Sequence, residues 1–347
     1  MIRIITRRSL DVQYLLDDRA QELNGVRDGP ALWHPVGQSV APEEVLTRST
    51  RSPTTGFDLI VAAPRPISVL LAVGTPEEQV CVVRAHRDAV QASLDYLNRR
   101  AVVIHRQILG DREDLNTQWD RSASFTHGVN RAGEPHLHDH VLVGSRGAHY
   151  EQIIDASVLR DHSSSADALY RSQLRRDLNE GLDRDVWQSF AGRDYVSGID
   201  EAVRALWPGR ANDHGDKVMW SRDEIMSQWS RDLANYHAGP EVAPTARDGL
   251  EFDRHRFSAA LSYQTLIRRR DVVASLADAH GRGAIARDID ATVDRAMPEL
   301  SRDRDHAITR ARLREIVVVA ERVSDREVFQ RSRERGASLS IDRSRDR

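Results

Sequence analysis

Residues 122–143 read SASFTHGVNRAGEPHLHDHVLV, the stretch that indicates the centre of the fold most clearly. Its apolar and β-branched positions predict two antiparallel strands, and the Asn, Gly and Pro residues between them predict the turn that joins the strands. Because side chains alternate along a strand, His136, His138 and His140 project from one face. Apolar residues occupy the other face, so the second strand is expected to run through a core.

His127, on the first of these strands, lies eleven residues before His138. If the turn is centred near residues 131–133, His127 falls opposite His138, and His140 joins them on the same face. Burying several imidazoles together is costly unless a divalent metal ion or hydrogen-bond partners satisfy them. Three neutral ligands leave an ion its charge and open positions, which suits activation of a phosphodiester. The alternative is a set of hydrogen-bonded surface histidines.

The composition excludes several classes of protein. The chain has 347 residues, of which 40% are hydrophobic, enough for at least one sizeable core. Its aliphatic stretches are too short to span a bilayer, its N-terminus lacks a secretory apolar run, and the single Cys81 allows no intrachain disulfide. We therefore expect a cytoplasmic protein with no membrane partner. No Gly-rich phosphate loop or G-x-S-x-G motif supports a kinase, NTPase or hydrolase interpretation.

The charges nearly cancel. The 50 basic and 53 acidic residues give a formal net charge of −3, and Lys217 is the one lysine among the basic residues. This balance provides no bulk attraction to nucleic acid, so DNA binding would need a local basic surface. Arginine suits such a surface, because its planar guanidinium group binds phosphate in a fork that an ammonium group cannot form.

Hydrophobic periodicity indicates how the chain is organised. Strands and helices occur together as far as about residue 215, and helices alone follow. This pattern predicts a core of strands and helices followed by a helical C-terminal third. The further predicted strands are 1–6, 57–63 and 101–109, and the main predicted helices are 77–100, 167–182, 224–236, 257–279 and 287–297.

Two residues outside the hairpin are candidates for catalysis. Tyr14 lies on a short predicted helix beside the first strand, and its phenol would need activation to act as a nucleophile. Asp58 lies at the start of an apolar strand, where a buried carboxylate could bond to a ligand histidine. The alternatives are that Tyr14 packs one end of a helix and that Asp58 is an exposed residue at a strand end.

Several segments together resemble a known family. Residues 56–70, GFDLIVAAPRPISVL, resemble a G-F-D-L-T-F-S-A-P-K-S-V-S-x-L block, and FTH at 125–127 with EPHLHDH at 134–140 resembles F-x-H…D-P-Q-L-H-T-H. These blocks, with the eleven-residue spacing, are similar to those of the conjugative DNA relaxases of the TrwC/TraI type, in the HUH endonuclease group. Weaker similarities lie at 29–33, 169–174 and 268–273.

The resemblance implies an α+β fold, in which an antiparallel, palm-like HUH sheet is flanked by helices and followed by a helical C-terminal extension. It also implies a role for each candidate residue. It implies that His127, His138 and His140 bind one divalent metal ion. Mg²⁺ or Mn²⁺ is the first expectation, with Zn²⁺, Ni²⁺ or Co²⁺ as alternatives. It also implies that Tyr14 attacks single-stranded DNA, and that Asp58 orients a histidine or takes the tyrosine proton.

The sequence departs from the family pattern at several positions. Family members usually carry two pairs of tyrosines near the N-terminus, whereas Tyr14 is alone here and Tyr96 is the next. Arg65 stands where the family has lysine, and His136 stands where it has glutamine. We expect His136 to be a near-site hydrogen-bonding group rather than a fourth ligand. No helicase motif is present, so unwinding is expected to come from a separate protein.

The sequence therefore predicts a metal-dependent relaxase that nicks single-stranded DNA at a plasmid transfer origin through a 5′-phosphotyrosyl intermediate and can rejoin strands. The alternatives are an HUH initiator of rolling-circle replication and a catalytically inert DNA-binding protein of the same fold. Expected partners are this DNA and accessory, coupling and helicase proteins. The arginines expected to contact DNA are Arg7, Arg8, Arg65 and Arg131.

We expect residues 1–240 to form the catalytic core and residues 241–300 to form a helical part that closes over DNA. Residues 301–347 are expected to be a charged, flexible tail. The run Arg268–Arg270, in the middle part, is expected either to grip phosphate or to form a solvated helix face.

Overall fold

The computed structural model of the protein describes most of the N-terminal two thirds and part of the remainder. The described residues are 1–12, 15, 38–48, 52–108, 111–183, 186–190, 193–196, 199, 205–207, 221–234, 253, 256–257, 261, 267–296 and 318. Tyr14, the similarity at 29–33 and all of the predicted tail except residue 318 lie outside these residues.

Nine strands are described. They are β1 (Ile2–Arg7), β2 (Gln38–Ser39), β3 (Gly56–Ala62), β4 (Val103–Ile108), β5 (Asp111–Asn116), β6 (Arg121–Val129), β7 (Pro135–Gly144), β8 (Trp187–Phe190) and β9 (Arg193–Val196). Five of them form the central sheet in the order β1–β3–β7–β6–β2, in which only β2 and β6 pair in parallel. The other four form two antiparallel ribbons, β4–β5 and β8–β9.

Eight helices accompany the strands in the described part of the chain. They are α1 (Pro42–Val45), α2 (Arg65–Val73), α3 (Pro76–Arg100), α4 (Ala156–Asp161), α5 (Ser163–Gly181), α6 (Arg222–Ala234), α7 (Arg269–Ala279) and α8 (Ala286–Ala296). The longest, α3, begins with a capping box in which Thr75 accepts from the Glu78 amide and Glu78 accepts from the Thr75 amide. The predicted α+β class, with an antiparallel sheet flanked by helices, is confirmed.

The two faces of the central sheet have different surroundings. Leu59, Val61, Val141 and Val143 lie in the main hydrophobic core, together with residues of α2, α3 and α5. The other face is covered at one end by a small apolar cluster, whose buried members are Val12, Leu15, Val45, Leu46, Ala123, Phe125 and Leu142. The histidines of β6 and β7 lie on this second face, beyond the apolar cluster. We call the two sides the helix face and the histidine face.

The last two described helices pack behind the sheet. Helix α7 packs on α5, and α8 contacts α3 and α5. Arg269 donates to Asp290 and Asp294 of α8 at 2.7 Å each, and Arg100 of α3 binds the same two carboxylates. These two helices therefore lie on the helix face of the sheet, and the closure of residues 241–300 over DNA stays a prediction. The predicted boundary at residue 240 lies outside the described residues and stays a prediction.

The predicted helix 257–279 is wrong at its centre. Arg268 has an extended backbone, with φ −101° and ψ 161°, and a new helix begins after it because its amide donates to Asp271 at 2.7 Å. Arg269 is nearly buried in its ion pairs, and Arg270 binds Asp161 at 3.1 Å. These two arginines therefore form contacts within the chain, instead of the phosphate grip or solvated face expected from the run.

Candidate metal centre

Three histidines converge on the histidine face of the sheet. His127 of β6 lies directly opposite His138 of β7, and His140 lies two residues farther along β7 on the same face. The ligand nitrogens of the three side chains all lie within 4.8 Å of one another. The predicted hairpin therefore brings the three residues together, as the eleven-residue spacing required.

Hydrogen bonds fix which nitrogen of each β7 histidine faces the centre. His138 Nδ1 donates to the His136 carbonyl at 2.8 Å. His140 Nδ1 lies 2.9 and 3.1 Å from the two carboxylate oxygens of Asp58. Each bond directs the remaining nitrogen, Nε2, to the centre of the cluster. A carboxylate or carbonyl behind a ligand imidazole fixes its tautomer and raises its basicity.

Asp58 reaches His140 because of the register of β3. It pairs with Leu142, which lies two residues from His140 on the same strand, so the Asp58 and His140 side chains are neighbours on one face. Asp58 is buried, with 1% of its surface exposed. The alternative of an exposed aspartate at the strand end is wrong, because the carboxylate is buried and bonded to a histidine.

The surroundings favour the neutral form of two histidines, His138 and His136. Burial, followed by the neighbouring His136, His127 and His140, holds the pKa of His138 well below its usual value. Burial, followed by the charge of Arg65, lowers the pKa of His136 to about 4. Neutral imidazole is the form that binds metal ions, so His138 is held in the form of a ligand.

The donor set fits a divalent metal ion. The three ligand atoms lie within 4.8 Å of one another, so His127, His138 and His140 would be able to hold one ion together. His138 is buried and His140 keeps only 12% of its side chain exposed, which limits competition from water. Three protein ligands leave coordination positions for oxygen atoms of a substrate. The donor chemistry does not by itself select one metal.

His136 lies beside the cluster rather than in it. Its ring centroid is 4.6 Å from that of His138, with the planes tilted by 34°. It is not among the three residues whose nitrogens converge. This placement agrees with the expectation of a near-site residue, and its hydrogen-bonding role stays a prediction.

The turn of the hairpin is held by its own polar network. Asn130 Oδ1 accepts from the amides of Ala132 and Glu134 at 2.9 and 3.0 Å, and Gly133 has φ 77°, which favours glycine. The Glu134 carboxylate accepts from Asn130 Nδ2 at 2.7 Å. Trp229 of α6 donates to the Gly133 carbonyl at 2.9 Å. The turn was predictable from its Asn, Gly and Pro residues, whereas the stabilising contacts of Glu134 and Trp229 were not.

Arg65 ties the start of α2 to this turn. Its guanidinium group donates to the Pro135 carbonyl and to the Glu134 carboxylate, at 3.1 Å each, and also to the Trp207 carbonyl. Its side chain is 24% exposed. Arg65 therefore has a clear structural role, while its predicted contact with DNA stays a prediction.

A comparison with protein families shows which family the chain belongs to. A family model described as TrwC relaxase matches residues 18–235, which is more than half of the chain. The chain belongs to the TrwC relaxase family. It is therefore a DNA nicking-joining transesterase.

Solved structures similar to this relaxase include those of conjugative relaxase TrwC. A metal-bound complex with oriT DNA has 16% identity and a TM-score of 0.48, and a complex with a 27-mer comprising the recognition hairpin and cleavage site has 17% and 0.46. Each comparison covers 67% of this chain and 98% of that chain. A copper-bound complex has 18% identity and a TM-score of 0.42, covering 52% and 70%. No curated protein matches the chain.

The remaining predicted site residues of the relaxase are Tyr14, Arg7, Arg8 and Arg131. Tyr14 lies outside the described residues, although Val12 and Leu15 are buried in the apolar cluster on the histidine face. Arg7 donates to the Asp11 carbonyl, and Arg8 is exposed. Arg131 is exposed at the hairpin turn.

None of the described helices is both long enough and apolar enough to cross a membrane.

Proposed function

We propose that this relaxase is metal-dependent and nicks single-stranded DNA at a plasmid origin of transfer, with Tyr14 as nucleophile. The observation that carries the proposal is the convergence of His127, His138 and His140 on one face of the sheet, with Asp58 bonded to His140. In this proposal the protein works in the cytoplasm, with accessory DNA-binding and coupling proteins as partners.

The three histidines would hold one divalent ion, and we propose Mg²⁺ or Mn²⁺, with Zn²⁺, Ni²⁺ and Co²⁺ as the alternatives to compare. When bound, such an ion supplies Lewis-acid polarisation of a phosphate oxygen. Asp58 serves this step by fixing the ring of His140, because both of its oxygens lie close to Nδ1. The resemblance implied two roles for Asp58, orienting a histidine and taking the tyrosine proton. These contacts support the first role.

The reaction exchanges one phosphate ester for another. The phenolic oxygen of Tyr14 attacks phosphorus in line with the leaving 3′ oxygen, so a tyrosine–phosphorus bond forms while the bond to that oxygen breaks. The phenolic proton is released, and the leaving oxygen takes up a proton to become a 3′-hydroxyl. Because an ester replaces an ester, the step is nearly isoenergetic, and a 3′-hydroxyl can reverse it and rejoin the strand.

The apolar cluster supports the choice of Tyr14. Val12 and Leu15, which flank Tyr14 in the sequence, are both buried against Phe125 and Leu142. Phe125 pairs with His140 across the β6–β7 ladder and shares its face. The residues on either side of the tyrosine are therefore anchored on the face that carries the three histidines.

A covalent-adduct assay tests the proposal. The purified protein is incubated with Mn²⁺ or Mg²⁺ and single strands from an origin of transfer, and the products are separated on a denaturing gel. We expect a protein–DNA adduct that requires the metal ion and disappears in Tyr14→Phe. The matched control is Tyr150→Phe, which changes a partly exposed tyrosine in the loop after β7 and should leave the adduct intact.

Three outcomes contradict parts of the proposal. An adduct that persists in Tyr14→Phe rejects the nucleophile. Binding of the strand without any adduct would indicate an inert DNA-binding protein. Adduct formation on a rolling-circle replication origin, but not on a transfer origin, would indicate a replication initiator.

A further inference from the structure

A chain of hydrogen-bonded polar side chains lies on the helix face, behind the metal centre. The Tyr170 hydroxyl lies 2.7 Å from His86 Nδ1, and His86 Nε2 donates to Asp139 Oδ1 at 3.1 Å. Ser124 Oγ donates to the other carboxylate oxygen at 3.3 Å. All four residues have 0% of their surface exposed. None of them can therefore touch DNA.

The position of Asp139 links this chain to the ligands. Asp139 lies between His138 and His140 in β7, and its side chain points away from theirs, toward α3 and α5. His86 reaches it from α3, and Tyr170 reaches His86 from α5. The backbone that carries two of the three ligands is thus held from behind by both helices.

Packing alone does not require a carboxylate at this position. Its neighbours on the helix face, Leu137 and Val141, are apolar and buried. The relaxase block that the chain resembles has threonine where Asp139 stands. A buried charge destabilises a fold unless every partner is in place. Core packing therefore does not explain why both carboxylate oxygens of Asp139 have hydrogen-bond donors.

We propose that Asp139 is a positioning residue, which fixes the two β7 ligands through the hydrogen-bonded chain formed with His86 and Tyr170. Metal–ligand distances tolerate deviations of only about 0.2 Å. Apolar contacts are non-directional and allow small shifts of a strand, whereas hydrogen bonds are directional and restrict them. The bonds at Asp139 therefore hold residues 138–140 where their imidazoles converge.

The far end of this chain is the hydroxyl of the fully buried Tyr170. Burial, followed by the nearby Asp139 and Asp167, holds the pKa of Tyr170 well above its usual value. The hydroxyl therefore keeps its proton and its bond to His86. A second tie lies just before the ligands, where the Leu137 amide donates to the buried Ser68 hydroxyl of α2 at 3.0 Å.

Cobalt binding to the metal-free protein tests the proposal without DNA or activity. Co²⁺ affinity and the visible absorption of the bound ion are measured for the wild type, Asp139→Asn and Tyr170→Phe. We expect Asp139→Asn to weaken binding about tenfold or more and to alter the absorption bands. Tyr170→Phe should weaken binding several-fold. The double variant should lose no more affinity than Asp139→Asn alone, because Tyr170 acts through His86 on Asp139.

Tyr96→Phe is the matched control. Tyr96 is also fully buried and bonds to a histidine, with its hydroxyl 2.9 Å from His162 Nδ1, but it does not contact β7 or the metal ligands in the contacts described for it. It should lose comparable thermal stability and keep Co²⁺ affinity within twofold. Equal effects of the two tyrosine variants, affinity losses that simply follow the melting temperature, or a wild type that does not bind Co²⁺ would each overturn the proposal.

Discussion

At the scale of single residues, the contact between Asp58 and His140 fixes the ring of one proposed metal ligand. The carboxylate is buried in β3 and contacts His140 Nδ1 with both oxygens. A neutral imidazole with its second nitrogen on a carboxylate is a stronger ligand than one facing water. The contribution of Asp58 to ion affinity can therefore be measured separately from catalysis.

Asp58→Asn should weaken binding of Mn²⁺ or Co²⁺ by about 10- to 100-fold, because the charge behind His140 is lost while the shape of the side chain is kept. Isothermal titration calorimetry on the metal-free protein checks this. The control is Asp114→Asn in β5, which removes a similar aspartate contact, 2.6 Å from His105 Nδ1, on a different part of the fold. Unchanged affinity in Asp58→Asn would show that Asp58 does not support the ligand.

At the scale of elements, the hairpin of β6 and β7 depends on the contacts at its turn. Arg65 binds Glu134, which also binds Asn130, and Trp229 covers Gly133. The turn therefore holds the two ligand strands in register at the end nearest His127 and His138. Arg65, at the position where the family has lysine, donates hydrogen bonds to several acceptors.

Arg65→Lys should lower the free energy of unfolding by about 1–2 kcal/mol, because one ammonium group cannot replace the guanidinium fork toward three acceptors. Urea denaturation measures the loss, with the exposed Arg84→Lys of α3 as control. If stability is unchanged while affinity for single-stranded DNA falls, the arginine acts on DNA rather than on the turn.

The hairpin was predictable from the sequence, and other elements were not. Alternation and the Asn-to-Pro turn determine the register that puts His127 opposite His138, because both are local signals. The break at Arg268 depends on its amide, which donates to the Asp271 carboxylate three residues on, a local bond that hydrophobic periodicity does not reveal. The placement of α8 depends on ion pairs with Arg100, which is far away in the sequence. Such tertiary contacts leave no periodic signal. The role of Asp139 was missed for the same reason, since its partner His86 lies on another element.

Helix α4 offers a test of pH dependence at the scale of one element. Asp155 caps it by accepting from the Ser157 amide at 2.7 Å, and His105 Nε2 lies 2.6 Å from the same carboxylate. Burial acts to raise the pKa of Asp155, but the hydrogen bonds from Ser157 and His105 together lower it to about 2. Its stabilising effect is therefore complete above the unfolded pKa near 3.9 and is lost as the pH falls toward 2.

Asp155→Ala should lower the free energy of unfolding by about 0.5–2 kcal/mol at pH 7. The difference from the wild type should shrink between pH 4 and pH 2. Urea denaturation at several pH values checks this. A difference that stays constant down to pH 2 would show that the ionised carboxylate is not the stabilising form.

At the scale of the whole molecule, the two faces of the central sheet have different roles. The helix face carries the main core, including α7 and α8, while the histidine face carries the metal centre. The net charge of −3 excludes a strong general attraction to DNA. Binding should therefore depend on a few arginines near the histidine face.

Arg131→Gln should reduce the slope of log affinity against log salt concentration by about 0.7, the value for one phosphate contact on a single strand. Fluorescence anisotropy with a transfer-origin oligonucleotide between 50 and 200 mM salt, roughly the range in which such contacts are screened, provides the measurement. Arg84→Gln, which changes the same charge on a side chain that is 83% exposed, should leave the slope unchanged. Equal slopes in both variants would exclude a phosphate contact at Arg131.

The facing positions of His127 and His138 also have a thermodynamic consequence. Their backbones are ordered by the sheet ladder, so ion binding need not order a loop and little conformational entropy is lost. In small domains that fold around zinc, by contrast, the free energy of binding is also the free energy of folding. Removing the ion with a chelator should therefore leave this sheet folded and lower its melting temperature only by the mass-action term for a bound ligand.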